Sequence, residues 1–135
     1  MFGSIMADKK DRYKIPGGVK EEARQGRDLR TLHGYGGGKV TKAINYRLRT
    51  QKDVGYRTAV KVDTYYRRHE DVDPKGENFD NRKQPSKGYI MWKMMGGKPG
   101  QSWSRKLKKS LDVIQKRERL NKINKTLEAI HGMVR

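Results

Sequence analysis

The sequence predicts a mainly α fold: a compact helical domain with a helix-turn-helix-like hairpin at its centre and a long basic C-terminal helix. Three observations predict it. Apolar residues recur at steps of three and four through most of the chain. Clusters of glycine and proline cut those periodic stretches into pieces of helical length. The core must be thin, because 33% of the 135 residues are hydrophobic and 36% charged, against about 45–50% and 25% in ordinary domains. Two Trp, seven Tyr and six Met supply much of its volume.

The first helix is expected over 19–33, after Pro16-Gly17-Gly18, with Val19, Ala23, Leu29 and Leu32 near helical spacing and Gly34 ending it. Thr41 is the expected N-cap of a second helix over 42–51, with Ala43, Ile44 and Leu48 on its inner side. Gly55 breaks the chain before a third helix over 56–69. Ala59, Val62, Tyr66 and His69 form its inner face, and Arg57, Lys61 and Arg68 its outer one. Residues 70–86 hold five acidic and three basic residues, the composition of a long polar loop. Tyr89–Met95 is a short apolar segment, helical or extended, and Gly96-Gly97-Lys98-Pro99-Gly100 reads as a tight turn.

The long helix is expected from Ser102 to about Ile130, with Trp103, Leu107, Leu111 and Ile114 as its first apolar stripe. Val113, Leu120, Leu127 and Val134 then recur every seven residues, with Ile123 and Ile130 three positions after two of them. That is coiled-coil spacing, so the back half is expected to seek a partner, self-association included. In domain terms, 1–18 is an N-terminal extension, 19–103 a helical core domain with a polar loop at 70–88, and 104–135 the basic C-terminal helix.

Thirty-three Lys and Arg against fifteen Asp and Glu leave a net charge of +18. Self-repulsion at that excess works against compactness, so an anionic partner should stabilise the fold. Nucleic acid is the expected partner, double-stranded DNA first. A membrane is not, since no apolar run approaches the ~20 residues needed to cross one. Nor does Met1–Met6 present a basic segment followed by an apolar stretch, as a secretion signal would. The absence of cysteine excludes disulfides and thiolate zinc sites and suits a reducing cytoplasm.

The helix–break–helix of 41–69 is the most informative local feature. A second helix laid in a major groove would bring Arg57, Lys61 and Arg68 to phosphates or base edges. An ordinary helical hairpin with a solvated basic face has the same local pattern. The run Gly34-Tyr35-Gly36-Gly37-Gly38-Lys39 falls short of a P-loop: three spacers separate Gly34 from Gly38 where four are needed, and Val40 stands where Ser or Thr must follow. A backbone nest for one phosphate is the remaining use for it. His69, Glu70, Asp71 and Asp73 suit a salt bridge or helix cap better than a metal, and no catalytic motif is present. The expected nucleic-acid-binding residues are Lys39, Lys42, Arg57, Lys61, Arg68, Lys98, Arg105, Lys106, Lys108, Lys109 and Arg117; no catalysis, metal or cofactor is expected.

Across 26–103 the chain carries Gly26, Leu29, Arg30, His33, Gly34, Gly36 and Gly37, then Arg68, His69, Glu70 and Asp73, then Ser86, Gly88, Trp92, Gly96, Gly97, Gly100 and Trp103. In these residues and their spacing it resembles a small, largely uncharacterised domain of tailed-bacteriophage proteins, those of cyanophages included. The resemblance implies a phage origin, hence the bacterial host cytoplasm or the virion, and it carries over no activity. Lys98 stands where similar proteins often carry Asp, and the lysine-rich tail beyond Ser104 exceeds the shared pattern. Both departures increase the appetite for anions. The expectation is therefore a phage-encoded nucleic-acid-binding accessory protein that neutralises phosphates through basic helices. The alternative is a virion structural protein of the capsid, neck or interior that cements acidic surfaces of other virion proteins.

Overall fold

The computed structural model of the chain describes residues 7–69 and 85–133. It is mainly α and compact, as expected. Among the described residues the order is β1 (Tyr13–Lys14), α1 (Gly17–His33), α2 (Lys39–Thr50), β2 (Asp53–Val54), α3 (Tyr56–His69), α4 (Lys87–Met94) and α5 (Gly97–Met133).

Helix α1 starts behind Pro16, whose fixed φ of −61° leads into it, and stops at Gly34. There φ is +74° and the backbone N–H returns to the Arg30 carbonyl at 2.8 Å, the left-handed cap that glycine adopts without strain. The buried face is Val19, Ala23 and Gly26. Leu32, expected on that face, is 76% exposed. It lies six residues past Gly26, which turns it most of the way to the opposite side of the helix.

Helix α2 begins three residues before the expected start. Gly38 is its N-cap and no side chain caps it. Thr41, expected as the cap, is instead buried in the first turn, and the inner face is Thr41, Ile44, Asn45 and Leu48, with Ala43 exposed. Asn45 ties three elements together. Its side-chain amide donates to the Ala23 carbonyl of α1 and to the Met94 carbonyl of α4, both at 2.9 Å, while its oxygen accepts from Arg49 at 2.8 Å. A buried amide satisfied on both ends fixes relative position more sharply than apolar contact alone.

The break between α2 and α3 is longer than a tight turn. It contains β2, which pairs antiparallel with β1 in the register Tyr13↔Val54 and Lys14↔Asp53. This pairing draws the N-terminal segment onto the domain, and Ala7 and Ile15, expected in an extension, are buried. Helix α3 turns Ala59, Val62 and Tyr66 inward as expected, with Tyr65 buried beside them.

Most of the expected 70–88 loop lies outside the described residues. At its end Ser86 caps α4, accepting from the Tyr89 N–H at 3.0 Å, so the apolar segment 89–95 is largely helical. Helix α4 packs on α1 at Gly26, where a Cβ would stand 2.3 Å from the Met94 amide nitrogen. Only glycine permits so close an approach.

The expected turn at 96–100 is split: Gly96 and Gly97, with φ of +120° and +60°, turn the chain, and α5 starts at once. Pro99 is acceptable there because a first-turn N–H has no partner inside the helix. Gly97, Gly100, Trp103, Ser104, Leu107, Leu111 and Ile114 form its buried stripe, so the domain core extends well past residue 103. Trp103 is buried, whereas Trp92 is half-buried against the core edge. From Arg119 onward every described residue of α5 is exposed.

Candidate nucleic-acid interface

Helices α2 and α3 face each other across a concave seam, which their residues line in opposite chain order. Ala43, Ile44 and Arg47 line one end of the seam between them together with Tyr56, Arg57 and Lys61. At the other end Val40, Thr41 and Ile44 face Lys61, Thr64 and Arg68. Arg57, Lys61, Thr64 and Arg68 follow at steps of four, three and four, so they form one ridge along α3. The inward residues Ala59, Val62 and Tyr66 hold that ridge outward.

The first end is a groove of about 530 Å³ whose cations come from three elements: Lys9 and Arg12 from the N-terminal segment, Arg47 from α2, and Arg57 and Lys61 from α3. Among the described residues no carboxylate lines it. Arg12 pairs with Asp53 at 2.8 Å, which holds its guanidinium beside Gly55, and Lys9 pairs with Glu118. The Lys9 ammonium also lies over the Tyr56 ring, 5.8 Å from its centroid. The side chains of Arg47, Arg57 and Lys61 make no hydrogen bond or ion pair among the described residues. Three unneutralised cations beside a concave wall focus a positive potential there.

The second end is a groove of about 320 Å³ with a different character. Val40, Ile44, Met91 and Met95 give it an apolar floor, and Lys61 and Arg68 stand at its rim. Lys61 lines both grooves.

The residues expected to bind nucleic acid fall into separate groups. Arg57, Lys61 and Arg68 share the α3 ridge. Lys39 and Lys42 are exposed at the start of α2, in a first turn whose dipole disfavours cations unless an anion joins them. Lys98, Arg105, Lys106, Lys108 and Lys109 are exposed along α5. Arg105 and Lys108 line a small hollow with Asp63, Tyr66 and Arg67, which are turned away from the ridge. The structure thus does not gather the α3 and α5 cations into one surface. Arg117 has a local role as well: it donates to the Ala7 carbonyl at 2.7 Å and so anchors the N-terminal segment to α5.

Sequence reasoning missed Lys9, Arg12 and Arg47. Arg47 was findable, since it lies one helical turn beyond Ala43 once α2 is rotated to its true face. Lys9 and Arg12 were not, because their placement depends on a two-residue strand pairing. His69, the other expected polar member of α3, is half-buried; its Nδ1 lies 2.8 Å from the Tyr65 carbonyl and its ring stacks on that of Tyr65. The carboxylates expected near it lie outside the described residues.

Neither family models, nor curated proteins, nor solved structures contain a match to this chain. Among the described residues no helix is long and apolar enough to cross a membrane, and no group of three or more His, Asp or Glu is placed to hold a metal ion.

Proposed function

We propose that this chain is a phage-encoded accessory protein that binds nucleic acid, double-stranded DNA first, by phosphate neutralisation at the α2–α3 groove. One observation carries the reading: five cations from three separate elements line a single groove that no carboxylate among the described residues lines, and three of them have no acidic partner among those residues. Keeping Arg47, Arg57 and Lys61 together costs electrostatic free energy in the isolated protein. A polyanion offsets that cost and gains affinity from it. Phosphate contact alone carries no sequence information, so the preference among sequences is weak. The exposed cations of α5 extend the footprint along a second face and raise non-specific affinity.

The test is fluorescence anisotropy with labelled duplex DNA across a range of salt, with single-stranded DNA, RNA and an acidic protein as competitors. Neutralising about six phosphates gives a slope of log K against log salt near −5. Affinity that does not change between low and physiological salt would rule the reading out. Displacement by the acidic protein and not by DNA would favour a cement for acidic virion surfaces instead.

A further inference from the structure

We infer that the free end of α5 is a dimerisation element that takes the same helix of a second copy of this chain, running antiparallel. Leu120, Ile123, Leu127 and Ile130 follow at steps of three, four and three, and each is about half exposed at 50–54%. That spacing draws one apolar stripe down a helix whose other positions here are polar, charged or small. The stripe starts where the domain stops. Among the described residues Leu111 and Ile114 are the last buried apolar ones of α5, and Arg117 and Glu118 are the last whose side chains bond to the N-terminal segment.

The stripe is complementary to its own reverse. Placed antiparallel about residue 125, Leu120 meets Ile130 of the second copy and Ile123 meets its Leu127, and the same two layers repeat on the other side. Each of the four layers then pairs one Leu with one Ile. In this register the free end at Met133 reaches Arg117 of the second copy, so the paired stretch matches the length that stands clear of each domain.

Charge selects the same arrangement. The positions flanking the stripe are Asn124 and Thr126, which would meet their own counterparts, with Arg119 opposite Met133 and Arg117 opposite His131. No pair of permanent charges of one sign meets there. An acidic partner helix would find little to pair with along these edges, so a second copy fits better. Each chain carries +18, and a parallel pairing would crowd two such domains at one end. The antiparallel one separates the two helix exits after Glu118 by about 21 Å at 1.5 Å per residue, about twice the Debye length of about 8–10 Å near physiological salt.

Sedimentation equilibrium of the full chain without nucleic acid tests this. The mass should approach twice the 15.7 kDa of one chain as concentration rises. Raising salt from about 0.1 M to about 0.5 M should strengthen association or leave it unchanged, because it screens repulsion between the copies. DNA binding weakens over the same range, so failure of either idea is visible without the other. Leu127→Glu should return the mass to that of one chain while its helical signal and unfolding midpoint stay those of the parent. The chain has no cysteine, so Asn124→Cys gives a single thiol, which should form an interchain disulfide under mild oxidation. The inference is overturned by a parent that keeps the mass of one chain up to near-millimolar concentration, by an oligomer that Leu127→Glu leaves intact, or by a dimer that Asn124→Cys does not cross-link.

Discussion

The Tyr66 hydroxyl, on the inner face of α3, donates to the carbonyl of Gly97 at 2.8 Å, in the first turn of α5. Gly100 makes room for it, since a Cβ there would stand 2.3 Å from the same oxygen. This contact locks the helix that carries the Arg57–Lys61–Arg68 ridge to the long helix behind it. Tyr66→Phe should lower stability by about 1 kcal/mol, the net worth of a typical hydrogen bond, as read from urea denaturation.

The same phenol makes stability depend on alkaline pH. Burial, then its neighbours Tyr65 and Glu22, raise its pKa well above the usual 10.0. Above pH 10 the unfolded chain loses this proton while the folded chain keeps it, so the folded state binds more protons. Its contribution is therefore complete below pH ~10 and is lost progressively as pH rises from there toward the folded pKa. Urea midpoints should fall between about pH 9 and pH 11, and Tyr66→Phe should make that fall shallower. An equal fall in both proteins would assign it to other groups.

Gly26→Ala should be among the most damaging conservative substitutions. The new methyl would meet the Met94 backbone at 2.3–2.7 Å, and neither helix can yield without giving up the Asn45 bridge between them. Overpacking of this kind costs about 1–3 kcal/mol. Gly132→Ala, where nothing lies within 4 Å, should not lower the thermal midpoint measured by circular dichroism.

Asn45→Leu should destabilise by about 1–3 kcal/mol, because it strips the side-chain donor from two buried carbonyls and the acceptor from Arg49. A leucine that matches the parent in denaturant midpoint would mean that packing, not the amide, positions α2.

Replacing Arg47, Arg57 and Lys61 together with Ala should make the salt slope of DNA binding shallower by about 2.7, at about 0.9 per phosphate contact. Each exposed substitution should move stability by less than ~0.5 kcal/mol. Replacing Lys106, Lys108 and Lys109 instead should cost less affinity. The reverse ranking would move the interface to α5.

Much of the fold was legible because it follows from local rules. Steps of three and four placed α3 and the stripe Trp103, Leu107, Leu111 and Ile114 of α5 correctly, and glycine marked the end of α1. Helix α5 starts at Gly97, five residues before the expected Ser102, and Val134 of the expected second stripe lies outside the described residues. The errors share one cause. Leu32, Ala43 and Thr41 were assigned by nearness to a stripe or by capping preference, and both signals are weak against a buried face set by the neighbouring helices.

The sequence by itself determined a helical, thinly cored, strongly basic chain with an apolar heptad stripe at its end, since composition and periodicity are properties of the chain alone. It also determined that Arg57, Lys61 and Arg68 share a face, because spacing along one helix is fixed by its pitch. Only the tertiary structure decided that Lys9, Arg12 and Arg47 join two of them in one groove and that the α5 cations do not. It alone decided that α5 leaves the domain after Glu118. Those outcomes rest on the two-residue β1–β2 pairing, the Asn45 bridge and the close approach at Gly26, contacts between residues 20 to 70 positions apart. No local pattern encodes such contacts, because each depends on where several elements come to rest together.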